Sequence, residues 1–303
     1  MLMRDFARTA RRHLGKLGLT CCALVSLAGC FRHAASPENG LVHGQWVWKG
    51  PSIVGTPASA AALRDFCRAQ GVNEIYVSGF DLLNRSMERA LSGLIAELHA
   101  ANIRVEALFS SVNADEPGKP REKLVDSVRA VIAFNFNRDF PEERIDGVHL
   151  DIEPQQRPEN RGAGNLRFLP GLVQTYRAVR ELADPVKLSV NADIQRKLLE
   201  GDASQREMLL SALPQVTLML YGLSDAGDGM SDDDRARNLR AASKRFLRMA
   251  YRDLPDKGLA SMVVGLRTLD YGASLPAMLE TLDEANRANP HYAGWARHSY
   301  NDT

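Results

Sequence analysis

Ile145-Asp146-Gly147-Val148-His149-Leu150-Asp151-Ile152-Glu153-Pro154 alternates strictly from residue 148 to residue 153. Apolar side chains stand at 148, 150 and 152, and titratable ones at 149, 151 and 153. A period of two is the period of a strand, so the stretch predicts one strand with two chemically different faces. Val148, Leu150 and Ile152 would pack under covering helices, and His149, Asp151 and Glu153 would share the other face. Carboxylates are expensive to bury unless they are paired or put to use. A closed parallel barrel accommodates both faces, because one lines a lumen whose C-terminal mouth is where chemistry is done. Glu153 ends the run and would stand at that mouth.

Outward from this stretch, similar short runs rich in Val, Ile, Leu and Tyr recur at 45–48, 74–78, 104–109, 186–190, 216–221, 261–266 and 292–298. With 147–152 they make eight. Segments of helical spacing separate them. One covers 87–101, with Ala90, Leu91, Leu94, Ile95 and Leu98 on one face; another covers 166–182, with Leu169, Leu172, Val173, Tyr176 and Val179. Strands alternating with helices imply parallel pairing through right-handed crossovers. Eight such units over 45–303 predict a (β/α)8 TIM barrel. A doubly wound open sheet is the alternative, weakened because no glycine-rich turn follows the first strand.

Composition is that of a globular domain, 45% hydrophobic and 25% charged, with a formal net charge of +1. No global basic field exists to attract nucleic acid. The N-terminus reads differently from the rest. Arg4, Arg8, Arg11, Arg12 and Lys16 precede an apolar stretch, 17–29, that is too short to span a bilayer and suits a signal peptide. It ends in Leu27-Ala28-Gly29-Cys30, which resembles a bacterial lipobox. That resemblance implies cleavage before Cys30, acylation of Cys30 and a lipid anchor. Phe31 in place of an Asp implies the outer membrane. The organisation expected is a signal peptide over 1–29, a tether over 30–44 rich in Pro, Gly, Ser and Asn, and a barrel over 45–303. Cys21 and Cys22 would leave with the signal and Cys30 would be lipidated. Cys67 would then be the sole thiol, a core residue on a helix over 60–70, and no disulfide is expected.

Asp146-Gly147-x-His149-x-Asp151-x-Glu153 is similar to the fourth-strand signature of family-18 glycoside hydrolases, the chitinase family, which reads D-G-x-D-x-D-x-E. His149 stands where the family has its first inner Asp. Met219-Leu220-Tyr221-Gly222 matches the family's sixth-strand Met-x-Tyr-Asp except for the last position. Ser110-Ser111-Val112-Asn113 lacks the glycines of the third-strand pattern, and His298 occupies the place of the family's eighth-strand Trp. The resemblance implies a TIM barrel whose Glu153 protonates the leaving glycosidic oxygen. It implies that the sugar's 2-acetamido group is the nucleophile, that Asp151 steadies the cyclic cation, and that Tyr221 bonds the acetamido carbonyl. Asp146, His149 and His298 follow as substrate-side residues. An imidazole beside Asp151 is expected to lower that carboxyl's pKa.

Other candidates come from position alone. Trp46 and Trp48 share a face of the first strand and could be sugar platforms or barrel filling. Asn191 and Asp193 are expected at the fifth strand's end, to bind sugar hydroxyls or cap the next helix. Arg267 and Asp270 follow the seventh strand. Three functions compete: a glycoside hydrolase acting on an N-acetylated polysaccharide, a non-catalytic saccharide-binding barrel, and a metal-dependent hydrolase built on His149, Asp151 and His298. No cofactor and no metal is expected for the first. Its partners would be a polysaccharide and, through the anchor, a membrane.

Overall fold

The computed structural model describes residues 40–302 apart from 80–81, 83–84, 163–164 and 224–229. Eight parallel strands close into a barrel in chain order. They are β1 (Val42–Val47), β2 (Glu74–Ser78), β3 (Arg104–Ser111), β4 (Gly147–Ile152), β5 (Ser189–Gln195), β6 (Gln215–Met219), β7 (Ser261–Arg267) and β8 (Tyr292–His298). β8 pairs with β1 through Val42↔Gly294 and Gly44↔Ala296, which excludes the open sheet. Around them lie α1 (Gly50–Val54), α2 (Pro57–Ala69), α3 (Arg85–Ala100), α4 (Lys119–Phe136), α5 (Leu169–Ala183), α6 (Ala203–Leu210), α7 (Asp232–Tyr251), α8 (Thr268–Tyr271) and α9 (Leu275–Asn286).

Local chemistry starts these helices where the chain needs them. Thr56 accepts the amide of Ser59, and Asp202 and Gln205 form a reciprocal capping box at α6. Ser231 caps α7, whose first turn holds Asp232, Asp233 and Asp234 against the positive end of the helix dipole. Val148, Leu150 and Ile152 are fully buried against the helices, together with Leu172, Val173 and Tyr176 of α5. Cys67 is buried in α2 as a free thiol. Among the described residues the packed core runs from Leu41 to Tyr300, and the chain from Arg32 onward forms one compact unit. The seam closes tightly: a Cβ at Gly294, φ +126°, would lie 1.9 Å from the Val42 carbonyl oxygen.

Some boundaries differ from expectation. β1 begins at Val42, so residues 42–44, assigned to the tether, belong to the barrel. The signal segment and residues 30–39 of the tether, Cys30 included, lie outside the described residues. The fifth strand runs over Ser189–Gln195 instead of 186–190. Asp184–Val186 is a 3-10 turn, and Lys187 follows with φ +58°, which ends the extended path before Ser189. The run was misplaced because the true strand carries polar residues inward. β6 ends at Met219, leaving Tyr221 in the loop beyond it.

Candidate active site

The lumen is built in polar tiers. At its base, Arg104 bonds Glu74 at 3.0 Å, and Glu106 accepts from Asn191 Nδ2 at 2.7 Å and Ser189 Oγ at 3.0 Å. Burial and the neighbouring Glu106 push the Glu74 carboxyl up to about 7, against the pull of Arg104. Asn191, expected at the mouth, is thereby a deep residue, because it pairs with His149 in the strand register.

The middle tier centres on His149, which has no exposed surface. Its Nδ1 lies 3.1 Å from Glu106 Oε2 and its Nε2 lies 2.9 Å from Asp193 Oδ1. Its ring stacks on Tyr76 at 3.8 Å and meets Trp46 edge-on. Burial alone would depress the imidazole. Asp193 and Glu106 outweigh it and hold the pKa up at about 10, so the ring is a cation at neutral pH. Both ring nitrogens are thereby engaged by carboxylates of neighbouring strands. Among the described residues no cluster of His, Cys, Asp and Glu has the arrangement of a metal site. Asp193 takes a second bond from Trp46 Nε1 at 3.0 Å. Trp46 is therefore barrel filling with a tethered indole, and Asp193, 1% exposed, lies beneath the mouth.

The upper tier is the candidate site. Asp151 and Glu153 continue the inward face of β4. Asp151 is buried, and one of its carboxylate oxygens has no hydrogen-bond partner. Burial, then the charges of Asp193 and Glu153, raise its pKa to about 8; Ser110 and His149 pull the other way and lose. His149 does pull this carboxyl down, as expected, but burial, Asp193 and Glu153 outweigh it, so the net shift is upward. Glu153 accepts amide protons from Gln155 Nε2 at 3.0 Å, from Gln156 Nε2 at 2.6 Å and from Gln195 Nε2. Those donors favour its anion, yet burial and nearby Asp193 leave its pKa raised.

Tyr221 faces this pair from the β6–α7 loop. Its hydroxyl is buried without a partner among the described residues, and burial together with Asp193, Asp151 and Glu153 pushes its ionisation far up, leaving a neutral donor. Gly222, where the resembling family has an Asp, sends its amide to Asp270 Oδ2 at 2.8 Å; Asp270 in turn holds Arg267 Nε at 2.7 Å. His298 forms the floor. Trp48 Nε1 donates to His298 Nε2 at 2.8 Å, and the Tyr221 and Trp46 rings lie 5.7 and 5.8 Å from the His298 ring. Trp295 faces outward and stacks on His43.

Asp146, like Asn191, is not brought to the mouth. Asp146 precedes β4 at the opposite end of the barrel, where its carboxylate takes the Val105 amide at 2.7 Å and His99 Nε2 at 2.8 Å. Those partners, His99 above all, hold its pKa low against burial. Sequence reasoning missed Glu106, Gln195 and the Gln155–Gln156 pair. Glu106 was legible by parity on its own strand; Gln195 was hidden by the misplaced fifth strand.

No protein-family model and no curated protein sequence matches the chain. Solved structures do match. A GH18 chitinase from Pseudoalteromonas aurantia aligns at 10% identity and TM-score 0.51, over 86% of this chain and 94% of that one. The C-terminal domain of a chitinase-named protein from Desulfitobacterium hafniense DCB-2 aligns at 12% identity and TM-score 0.50, over 75% of this chain and 66% of that one. A Gas2 structure aligns at 12% identity and TM-score 0.51, over 87% of this chain but 59% of its own. At such identities the likeness is one of fold: a (β/α)8 barrel of the architecture found among glycoside hydrolases.

Proposed function

We propose that this chain is a glycoside hydrolase of the cell envelope, acting on an N-acetylated polysaccharide with Glu153 as proton donor. The observation that carries the reading is the pair Asp151–Glu153 at the C-terminal mouth, both carboxyls raised, facing the unpartnered hydroxyl of Tyr221. With Asp151 held up at about 8, the pair keeps a proton at neutral pH, and a proton passed from Asp151 to Glu153 is what a general acid there would use. In the reaction the Glu153 proton passes to the glycosidic oxygen as its bond to C1 breaks. The substrate's acetamido oxygen closes on C1, with Asp151 beside the resulting cation and Tyr221 donating to the acetamido group. Water then opens the ring, giving its proton to the Glu153 carboxylate. Trp48, tied to His298, supplies an aromatic floor for a sugar ring. Acylation of Cys30 would hold the enzyme at the outer membrane.

A second reading, a saccharide-binding barrel without turnover, is favoured by one feature. Three amide donors already satisfy the Glu153 carboxylate. The test is a panel of N-acetylated and deacetylated glycans incubated with the parent protein and with Glu153→Gln. The hydrolase reading expects turnover by the parent that falls about 10²–10⁴-fold in the variant, with binding retained. Equal turnover by both rejects Glu153 as the acid. Binding without turnover by the parent selects the second reading.

A further inference from the structure

The end of the barrel opposite the mouth carries features that catalysis does not use. Beyond its first three residues α7 has no carboxylate: from Arg235 to Arg252 the charged residues are all Arg or Lys. Arg240, Lys244, Arg248 and Arg252 recur every four residues, so they form one stripe, and all four are exposed. Arg240, Lys244, Arg245 and Arg248 make no ion pair among the described residues; Arg252 is 3.5 Å from Asp253. Like charges at this spacing repel each other, so the stripe costs stability unless an anion lies along it. Beside it, between the end of α7 and the turn before β8, is a groove of about 660 Å³ lined by Arg245, Arg248, Arg252, Asn289 and His291 together with Leu247, Met249 and Tyr251. His291 is fixed there by stacking on Tyr251 at 3.8 Å.

The same end exposes apolar side chains. Phe136 at the end of α4 is 74% exposed, Phe140 on the loop before β4 is 58% and Val186 on the loop before β5 is 40%. The chain also enters the barrel there. Asn73, on the loop before β2, bonds the Leu41 carbonyl at 3.0 Å and the His43 amide at 2.8 Å. The stretch from Cys30 to Leu41 reaches at most about 40 Å even when fully extended.

We propose that this lower end docks on a bilayer containing anionic phospholipid, with the α7 stripe and its groove against the headgroup phosphates and Phe136 and Phe140 in the interface. Charge complementarity selects a phosphate-bearing surface, and exposed aromatics at the same end suit the boundary between headgroups and acyl chains. The choice of a membrane as occupant rests on the proposed acylation of Cys30: a tether of that length keeps the end of the barrel where the chain enters within reach of the lipid. One lipidation signal binds reversibly, and a polybasic patch is the usual second signal. Docked this way, the barrel turns its Glu153 mouth away from the membrane.

The test separates the patch from the anchor. The barrel unit from Arg32 onward, which has no acylation site, is mixed with vesicles of phosphatidylcholine alone and with vesicles containing about a third phosphatidylglycerol. The proposal expects sedimentation with the anionic vesicles only, weakening as salt is raised. Lys244→Glu with Arg248→Glu should lower partitioning at least about tenfold. Phe136→Ser with Phe140→Ser should lower it several-fold while leaving the salt dependence in place. Both variants change exposed residues, and an unchanged melting temperature checks that each is folded. Equal partitioning to both vesicle types, none to either, or indifference to the charge reversals overturns the proposal. So does a soluble anionic polysaccharide that binds the stripe while the vesicles do not. No arm depends on turnover, so the glycosidase reading and this one fail separately.

Discussion

Replacing His149 with Leu tests how the interior is held together. The imidazolium is fully buried between Glu106 Oε2 at 3.1 Å and Asp193 Oδ1 at 2.9 Å. Removing one member of a buried ion pair typically costs about 3–5 kcal/mol, because its partner stays buried and charged. Here two carboxylates are stranded, although Glu106 keeps Asn191 and Ser189, and Asp193 keeps Trp46. The rise of the imidazole pKa to about 10 points to the same order of energy. For a domain of this size, about 3–5 kcal/mol corresponds to a melting point lower by roughly 6–20 °C. The sign with pH follows from linkage. The folded pKa lies above the ordinary value for histidine, so the stabilisation is complete below about 6.5 and is lost as pH rises through about 10. The parent should therefore lose melting temperature from neutral pH towards pH 10. The variant's deficit should be full at and below neutrality and shrink as pH rises towards 10. Thermal unfolding of parent, His149→Leu and His149→Gln across this range is the assay. A Leu variant melting within about 2 °C of the parent at pH 7 would refute the ion-pair account.

Other outcomes follow from single contacts. Gly294→Ala should break the β8–β1 seam, since its Cβ would lie 1.9 Å from the Val42 oxygen; little folded protein is expected, judged by near-ultraviolet circular dichroism. Trp46→Phe removes the indole donor to Asp193 and should cost about 1–3 kcal/mol in denaturant unfolding, whereas no measurable loss would deny that bond any weight. If Glu153 is the acid, Gln195→Leu deletes a donor that favours its anion, so its pKa should rise further and the basic limb of the activity profile should move to higher pH. A basic limb that moves down would contradict this assignment.

The polar mouth was legible for a simple reason. On β4, alternation places every second side chain inward, so His149, Asp151 and Glu153 could be put on one face without coordinates. The same parity was available for Glu106 on β3 but went unread, because a lone Glu in an apolar run gives no reason to look. β5 was read only in part: its expected run, 186–190, overlaps the strand at 189–190 and stops short of its polar end. Its inward face is Asn191, Asp193 and Gln195, and a strand buried on polar partners lacks the apolar run by which strands are found.

The sequence alone determined the barrel, its β4 motif and the direction in which Glu153 faces, because hydrophobic periodicity is a local property that each segment carries by itself. Only the tertiary structure decided what those side chains do to one another. Asp146 went to the far end beside His99, and His149 became a cation because Glu106 and Asp193 arrive from other strands. Asp151 was raised rather than lowered because Asp193 and burial outweigh the imidazolium. Charge states depend on distances between residues far apart in the chain and on the water that packing excludes, and neither is a property of any one segment.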